Sequence, residues 1–368
     1  MSNSFLNVKE IARCALPRLM DQLVFPALVY TDYSNDFQSG KGAQIQVRKP
    51  VTLTAGDFDA TSGTSPESVN EGSVDVALDR LATVDVEVGA LESATSVDDL
   101  NRLFIAPAAA ALAEKINRDG LQLFEGVPYV TGTAGTTPDG LDDFAAAARV
   151  LNENRAPLTD RRGVWDPAAN AAFQQLPALV NAEKSGSTAA LRAGSIGRVF
   201  GIDNYMSQAV KKTGAPAGAG TVQIDKVGGV KKGSTEVHVD GVTAAIAAGD
   251  ELMMGGNVYT VKSAGTMSGG DQDVTLCCPL VKDLADNTAV TFVNAATQNL
   301  VFHKNAFAFV TRPLSAPAGV ESYTTSYGGV TLRVCRGYDM KYKKDMLSMD
   351  VLYGYKVLYP ELAVRVLG

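Results

Sequence analysis

Ser96–Phe124 reads SVDDLNRLFIAPAAAALAEKINRDGLQLF, and the rest of the chain is organised around it. Ser96 is a good N-cap, and Asp98 and Asp99 fall in the first turn, where the helix dipole favours negative charge. Leu100, Phe104, Ala108, Ala111, Leu112 and Ile116 recur at steps of three and four and make one apolar stripe. Asp98–Arg102 and Glu114–Arg118 are i,i+4 pairs on the opposite side. Pro107 removes a backbone donor, so the spacing predicts either a kink there or a restart with Pro107 in a first turn. Gly120 weakens the far end. A helix of about 29 residues spans roughly 43 Å, the length of a spine.

Upstream, Leu6–Met20 shows a short helical period through Ile11, Ala15 and Leu19, limited by Pro17. Leu23–Phe37 (LVFPALVYTDYSNDF) is apolar and aromatic and is broken by Pro26, which predicts an extended arm packed along its own body or a neighbour. Gln44–Arg48 alternates, as do Val74–Leu78 and Val84–Val88, the pattern of half-buried antiparallel strands. The stretch between, Thr52–Ser73, is rich in Gly, Ser, Thr, Asp and Glu. A connection of roughly 20 residues with so little to bury points to a protruding, partner-contacting loop.

Downstream, Asp139–Asn154 reads as a helix, Arg162–Asp166 as a strand, Pro167–Leu179 as the start of a second helix and Gly197–Asn204 as another strand. This is an α+β body. Lys211–Gly220 (KKTGAPAGAG) is a linker by composition. Thr221–Val293 then turns all-strand through TVQID, TEVHVD, ELMMG, VYTVKSA, DVTLCC and AVTFV, with Gly-containing turns at Asp240-Gly241 and Gly255-Gly256. Strands at this spacing predict a small barrel or sandwich. Phe302–Leu314 resumes the earlier style, so residues 221–293 read as a domain inserted into a host. Val330–Cys335 and Leu347–Tyr353 alternate as long strands, and Val364-Arg365-Val366 ties the C-terminus into a sheet.

Composition narrows the function. The chain has 368 residues, 46% of them hydrophobic, enough for a real core in two or three domains. Forty acidic residues against 33 basic give a net charge of −7, which argues against a broad nucleic-acid-gripping face. The four cysteines, Cys14, Cys277, Cys278 and Cys335, match no zinc spacing and read as free thiols of a reducing compartment. The first residues do not resemble a secretory signal, and no run of about 18 apolar residues predicts a transmembrane helix.

No catalytic constellation survives inspection. His238 and His303 lie in different segments and read as structural or solvated histidines. Ser195, in AGSIG, has the look of a nucleophile elbow, but that motif needs a strand before it and a helix after it, and here a strand follows. No Walker loop, dinucleotide fingerprint or His-Glu-x-x-His is present. Asp57/Asp59 and Asp271/Asp273 lack the ligand series of a calcium loop and read as solvated turns. No metal and no cofactor is predicted. Of the basic doublets, Arg161-Arg162, Lys211-Lys212, Lys231-Lys232 and Lys343-Lys344 read as solvated faces. Arg48-Lys49 sits at the base of the protruding hairpin, placed to meet a carboxylate of a neighbouring subunit.

The order of these parts, together with LVFPALVYTDYSND (23–36), GKGAQIQVRKP (40–50), PAAAALAEKIN (107–117) and GYDMKYKKDMLSMDVLYGYKVLYPEL (337–362), resembles the major capsid (coat) protein of tailed bacteriophages, which has the Hong Kong 97 fold. It is most similar to the coat branch of short-tailed phages that carries an inserted domain. The resemblance implies an N-terminal arm (1–39), an extended loop lying over a neighbour (40–90), and a peripheral domain with the spine helix (91–138 and 330–368). It implies an axial domain around the capsomer axis (139–220 and 294–329) and the inserted barrel-like domain (221–293). Contacts between subunits are then expected at Phe25, Tyr30, Arg48, Lys49 and Phe58. Some relatives crosslink through a lysine of the extended loop, but Lys41 and Lys49 lie near its base, so that activity is not carried over. The implied protein is not an enzyme. It self-assembles into the icosahedral shell of a virion around double-stranded DNA, with scaffolding and portal proteins as partners, in the host cytoplasm. The rival with the same fold is the shell of a bacterial encapsulating nanocompartment.

Overall fold

A computed structural model describes residues 8–31, 44–48, 73–89, 105–185, 192–317, 319–339 and 344–368. The first element is helix α1 (Val8–Gln22), which buries Ile11, Ala12, Ala15, Leu16 and Leu19 along one face. It continues past Pro17, against the sequence expectation. Pro17 and Arg13, whose carbonyl loses its helical partner, are both exposed, on the side open to solvent. A single helical turn, α2 (Phe25–Leu28), follows with Pro26 in its first turn, so the segment expected to be an extended arm starts as a turn packed on its own body.

The spine is α3 (Ala106–Leu121), continued by a 3₁₀ turn over Gln122–Gly126. Pro107 stands in the first turn of the described helix, and Ile105 ahead of it already has helical dihedrals; the residues that decide between a kink and a restart lie outside the described residues. The expected caps at Ser96, Asp98 and Asp99 lie outside the described residues. Ala108, Ala109, Leu112, Ala113 and Ile116 are buried. The alanines let α1 approach closely, and α1 in turn covers one face of the sheet below.

Two host sheets carry these helices. Strands β1 (Gln44–Arg48) and β2 (Ser73–Ala77) pair by themselves, and β3 (Arg80–Gly89) pairs along the 14-residue β18 (Lys344–Val357). β18 is also bonded to β15 (Phe307–Thr311) and to β17 (Val330–Asp339), and β17 carries β16 (Glu321–Tyr327) at the sheet's edge. The second sheet holds β4 (Val130–Gly132), β5 (Arg161–Trp165), β6 (Arg198–Val199), β7 (Ile202–Met206), β14 (Gln298–His303) and β19 (Ala363–Leu367), in the order β4-β19-β14-β5-β7-β6. Helix α4 (Leu141–Glu153) lays Phe144, Ala147 and Leu151 on it. Asp166 caps α5 (Pro167–Phe173), and Phe144, Trp165 and Phe173 meet at ring distances of 4.4–5.0 Å.

The strand pairing redraws the expected host boundaries. β15 and β16 fall in 294–329, expected to belong with 139–220, yet they pair into the sheet of β17 and β18. β19, expected on the other side of that division, pairs with β14. The chain changes sheets at two 3₁₀ turns, Lys304–Ala306 and Pro360–Leu362, which pack on each other. Alternation marks a strand's faces but carries no sign of which sheet it joins.

Between β7 and β14, six strands close into a barrel in the order β10-β11-β12-β9-β8-β13. They are β8 (Ala219–Ile224), β9 (Glu236–Ala244), β10 (Glu251–Met254), β11 (Asn257–Ala264), β12 (Gln272–Leu276) and β13 (Ala289–Phe292). Val222, Val239, Leu252, Tyr259, Val274 and Val290 fill its separate core. The chain enters and leaves at adjacent backbones: Thr213 N donates to Ala296 O at 2.8 Å, and Gln298 N to Lys211 O at 3.0 Å. The two crossings therefore lie side by side.

Candidate subunit-contact surfaces and the interdomain junction

Phe25 is fully buried within its own subunit, so its side chain is core and not contact surface. Its ring packs on Phe302, Phe307 and Tyr355 at 5.6, 5.8 and 6.0 Å. The turn that places it is held by Asn117. The side-chain Oδ1 of Asn117 accepts from the backbone N–H of Val24 and of Phe25, both at 3.1 Å, and its Nδ2 donates to Gln22 O at 2.9 Å. Tyr30 is half-buried, and its backbone is bound to β15, donating to Phe307 O and accepting from Phe309 N. Arg48 ends β1 opposite Ser73, so the two ends of the polar segment between are held side by side. Lys49 and Phe58 lie outside the described residues.

A second polar node fixes the spine to β18. Tyr353 Oη donates to Asp119 at 2.6 Å, and Lys115 Nζ donates to both carboxylate oxygens at 2.7 and 2.8 Å. Arg80 approaches the same carboxylate at 3.4 Å. Burial pushes the Asp119 pKa up, but the Lys115 and Tyr353 hydrogen bonds outweigh it and hold the carboxyl below its ordinary value.

The barrel is joined to the host by a buried ion pair. Arg365 of β19 has no exposed surface, and its Nη1 lies 2.8 Å from Glu251 Oε1 at the start of β10. The same guanidinium donates to Val258 O at 2.9 Å, to Thr260 Oγ1 and to Val127 O, and its plane lies over the Phe124 ring. Glu251 Oε2 accepts from Gln298 at 2.8 Å. Burial raises the Glu251 pKa and lowers that of Arg365, each opposed by the other's charge. One arginine thus binds barrel, spine extension and host sheet together.

No family model matches this chain, and no curated protein does. Solved structures do. One from Mycobacterium phage Che8 is 19% identical, with a TM-score of 0.54, covering 94% of this chain and 90% of that one. The capsid structure of the cyanophage P-SCSP1u is 14% identical, with a TM-score of 0.52, covering 94% of this chain and 88% of that one. The chain has the Hong Kong 97 capsid fold.

On this Hong Kong 97 fold, several large apolar side chains face outward on the described surface. Phe200, Tyr205 and Met206 lie on the β6–β7 hairpin, and Tyr327, Tyr338 and Met346 lie on the β16–β18 sheet. Sequence alternation predicts one strand over 197–204, whereas the chain turns at Phe200-Gly201, both at positive φ (48° and 81°). A two-residue hairpin turn of this type favours Asn-Gly, and a bulky residue there is strained. Phe200 is therefore held, 57% exposed, in a conformation that does not suit it.

The remaining candidates take structural places in the fold. Ser195 is exposed on coil before β6, not on a strand-to-helix turn. His238 pairs with Asp273 at 2.7 Å on the barrel surface, and the hydrogen bond raises its pKa. His303 Nδ1 accepts from Asn305 N. Among the described residues no group of His, Cys, Asp and Glu is placed to hold a metal, and no helix is long and apolar enough to cross a membrane. The four cysteines are free thiols, and burial pushes Cys278 up to about 11, far from a reactive thiolate. Arg161, predicted to be solvated, is buried and donates to Pro157 O, Asn152 Oδ1 and Ala156 O at 2.7–2.8 Å. Sequence reading missed Arg161, Glu251 and Arg365. Only Arg365, flanked by valines, carried a visible sign of burial.

Proposed function

We propose that this chain is the major capsid protein of a tailed bacteriophage, many copies of which assemble as hexamers and pentamers into an icosahedral shell around double-stranded DNA. The carrying observation is the correspondence of 94% of the chain, host sheets and helices together, with a phage capsid structure. The net charge of −7 suits a container that encloses nucleic acid without gripping it. On this reading Arg48, Lys49 and Phe58 belong to an extended loop that meets a neighbour, with Tyr30 in a supporting arm. The hairpin bearing Phe200 faces the capsomer axis. The subunit performs no catalysis, takes no cofactor, and works with scaffolding and portal proteins during assembly in the host cytoplasm before residing in the virion.

The test is electron microscopy of the purified protein, alone and co-expressed with a scaffolding protein. Closed shells of tens of nanometres are expected. A monodisperse globular monomer at high concentration under both conditions would overturn the proposal. Particles purified from the native host with an enzyme cargo in place of DNA would transfer it to the nanocompartment reading.

A further inference from the structure

Strand edges are where one protein chain can add to another, and natural sheets blunt them with charge, shortness, cover or closure. Nearly every edge in the described subunit is blunted in one of these ways. The barrel is closed. β6 and β4 have two and three residues. β15 is covered by Tyr30, whose backbone bonds to Phe307 and Phe309. β3 carries three charges, Arg80, Asp85 and Glu87, and β1 and β2 have only five residues each.

β16 is different. Its seven residues, Glu-Ser-Tyr-Thr-Thr-Ser-Tyr, pair with β17 in one unbroken register from Glu321↔Arg336 to Tyr327↔Val330. It has no proline, no lysine and no bulge, and it is rich in the Tyr and Thr that favour strands. Helix α1 covers one face, with Lys9 Nζ 5.9 Å from the Tyr323 ring centre. Among the described residues no backbone group outside β17 bonds to β16.

We infer that β16 is a subunit-joining edge whose partner is β16 of a second copy, paired antiparallel about a two-fold axis at Thr324. Three arguments select this partner and register. A parallel in-register pair would set Glu321 against Glu321, and like charges directly opposite repel. An antiparallel pair whose axis falls between two residues would set an outward-facing backbone group against an inward-facing one, so the axis must pass through a residue. Of such registers, only the one centred on Thr324 overlaps all seven residues. It places Glu321 of one copy opposite Tyr327 of the other, Ser322 opposite Ser326, and Tyr323 opposite Thr325, so the strand's single charge meets no charge. The inference rests on the reading of the chain as a self-assembling shell subunit.

Cysteine crosslinking under mild oxidation tests it, in a Cys14→Ser background that removes the exposed native thiol. Thr324→Cys places two thiols at the axis with Cα atoms about 4.5–5.5 Å apart, within disulfide range. Ser326→Cys places its two copies about 13 Å apart, four residues along the strand, beyond reach. At least about tenfold more crosslinked dimer is expected from Thr324→Cys than from Ser326→Cys, with the double variant S322C/S326C restoring the crosslink. Thr324→Lys, which opposes two ammonium groups at the axis and also faces Arg333 of its own chain, should melt slightly lower, stay folded and lose assembly. Equal crosslinking at 324 and 326, or particles from folded Thr324→Lys matching wild type, would overturn the inference. If the wild-type chain itself forms no particles, the shell reading fails instead, and the crosslinking pattern of the soluble protein reports on the edge separately.

Discussion

In the inserted barrel every strand has two neighbours, whereas in the host sheets β16, β6 and β4 each have one. The barrel also has its own core, built around Val239, Leu252 and Tyr259, while the host core is shared among α1, α3 and strands from both sheets. The difference teaches which part is complete alone. A closed barrel leaves no edge to satisfy. Among the described residues the host sheets keep an open edge, and Phe200, Tyr205 and Tyr327 are exposed. The two are nonetheless not independent, because their junction is ionic and buried, and a buried charge that loses its partner is costly.

The largest expected effect comes from breaking that junction. Arg365→Met leaves Glu251 buried and unpaired and should cost about 3–5 kcal/mol in urea unfolding of the subunit. The double variant E251Q/R365M should recover most of the loss. If it does not, the pair contributes more than compensation, and the barrel depends on its host more than its closed topology implies. Excising 221–293 with Arg365 left in place would strip that arginine of its Glu251 partner.

The second test concerns the shared host core. A Cβ on Gly120 would overlap Phe25 Cδ1 and lie 2.9 Å from Tyr355 Cζ, inside van der Waals contact. Gly120→Ala should cost about 1–3 kcal/mol by overpacking, with the contacts of α3 to α2 and to β18 loosening first in hydrogen exchange. Barrel amides should be unaffected. Loss of protection there would show the two cores to be one cooperative unit.

The third sharpens the contrast in surfaces. Phe200→Asn relieves a side chain held at positive φ and should stabilise the free subunit by about 1 kcal/mol while weakening assembly. A variant that both destabilises the subunit and leaves assembly intact would remove Phe200 from the contact surface.

The smallest effect is on the barrel surface. The Asp273 hydrogen bond raises the folded pKa of His238 above its ordinary 6.5. Its contribution is therefore fully present below pH 6.5 and is lost as pH rises through the higher folded value. The site is exposed, so the slope should be slight. It should vanish in His238→Gln, as read by the barrel's melting temperature between pH 6 and 8.

Much of this architecture was legible in the chain. The six barrel strands stand where the alternating runs of 221–293 put them, and the linker marks the crossing. Phe25 was misread as contact surface because an aromatic beside a proline looks the same in sequence whether its turn packs inward or reaches outward. The Phe200-Gly201 turn was hidden because a hairpin of two short strands alternates like one longer strand.

The sequence by itself determined the periods: which stretches are helical, which are strands, and where composition breaks. These follow from side-chain spacing and local backbone preference, which act over a few residues. Only the tertiary structure decided which strands share a sheet, that Glu251 and Arg365 meet across 114 positions, and that β16 keeps a long open edge among the described residues. The physical reason is that partner choice and burial depend on groups far apart in the chain, and no local pattern encodes them.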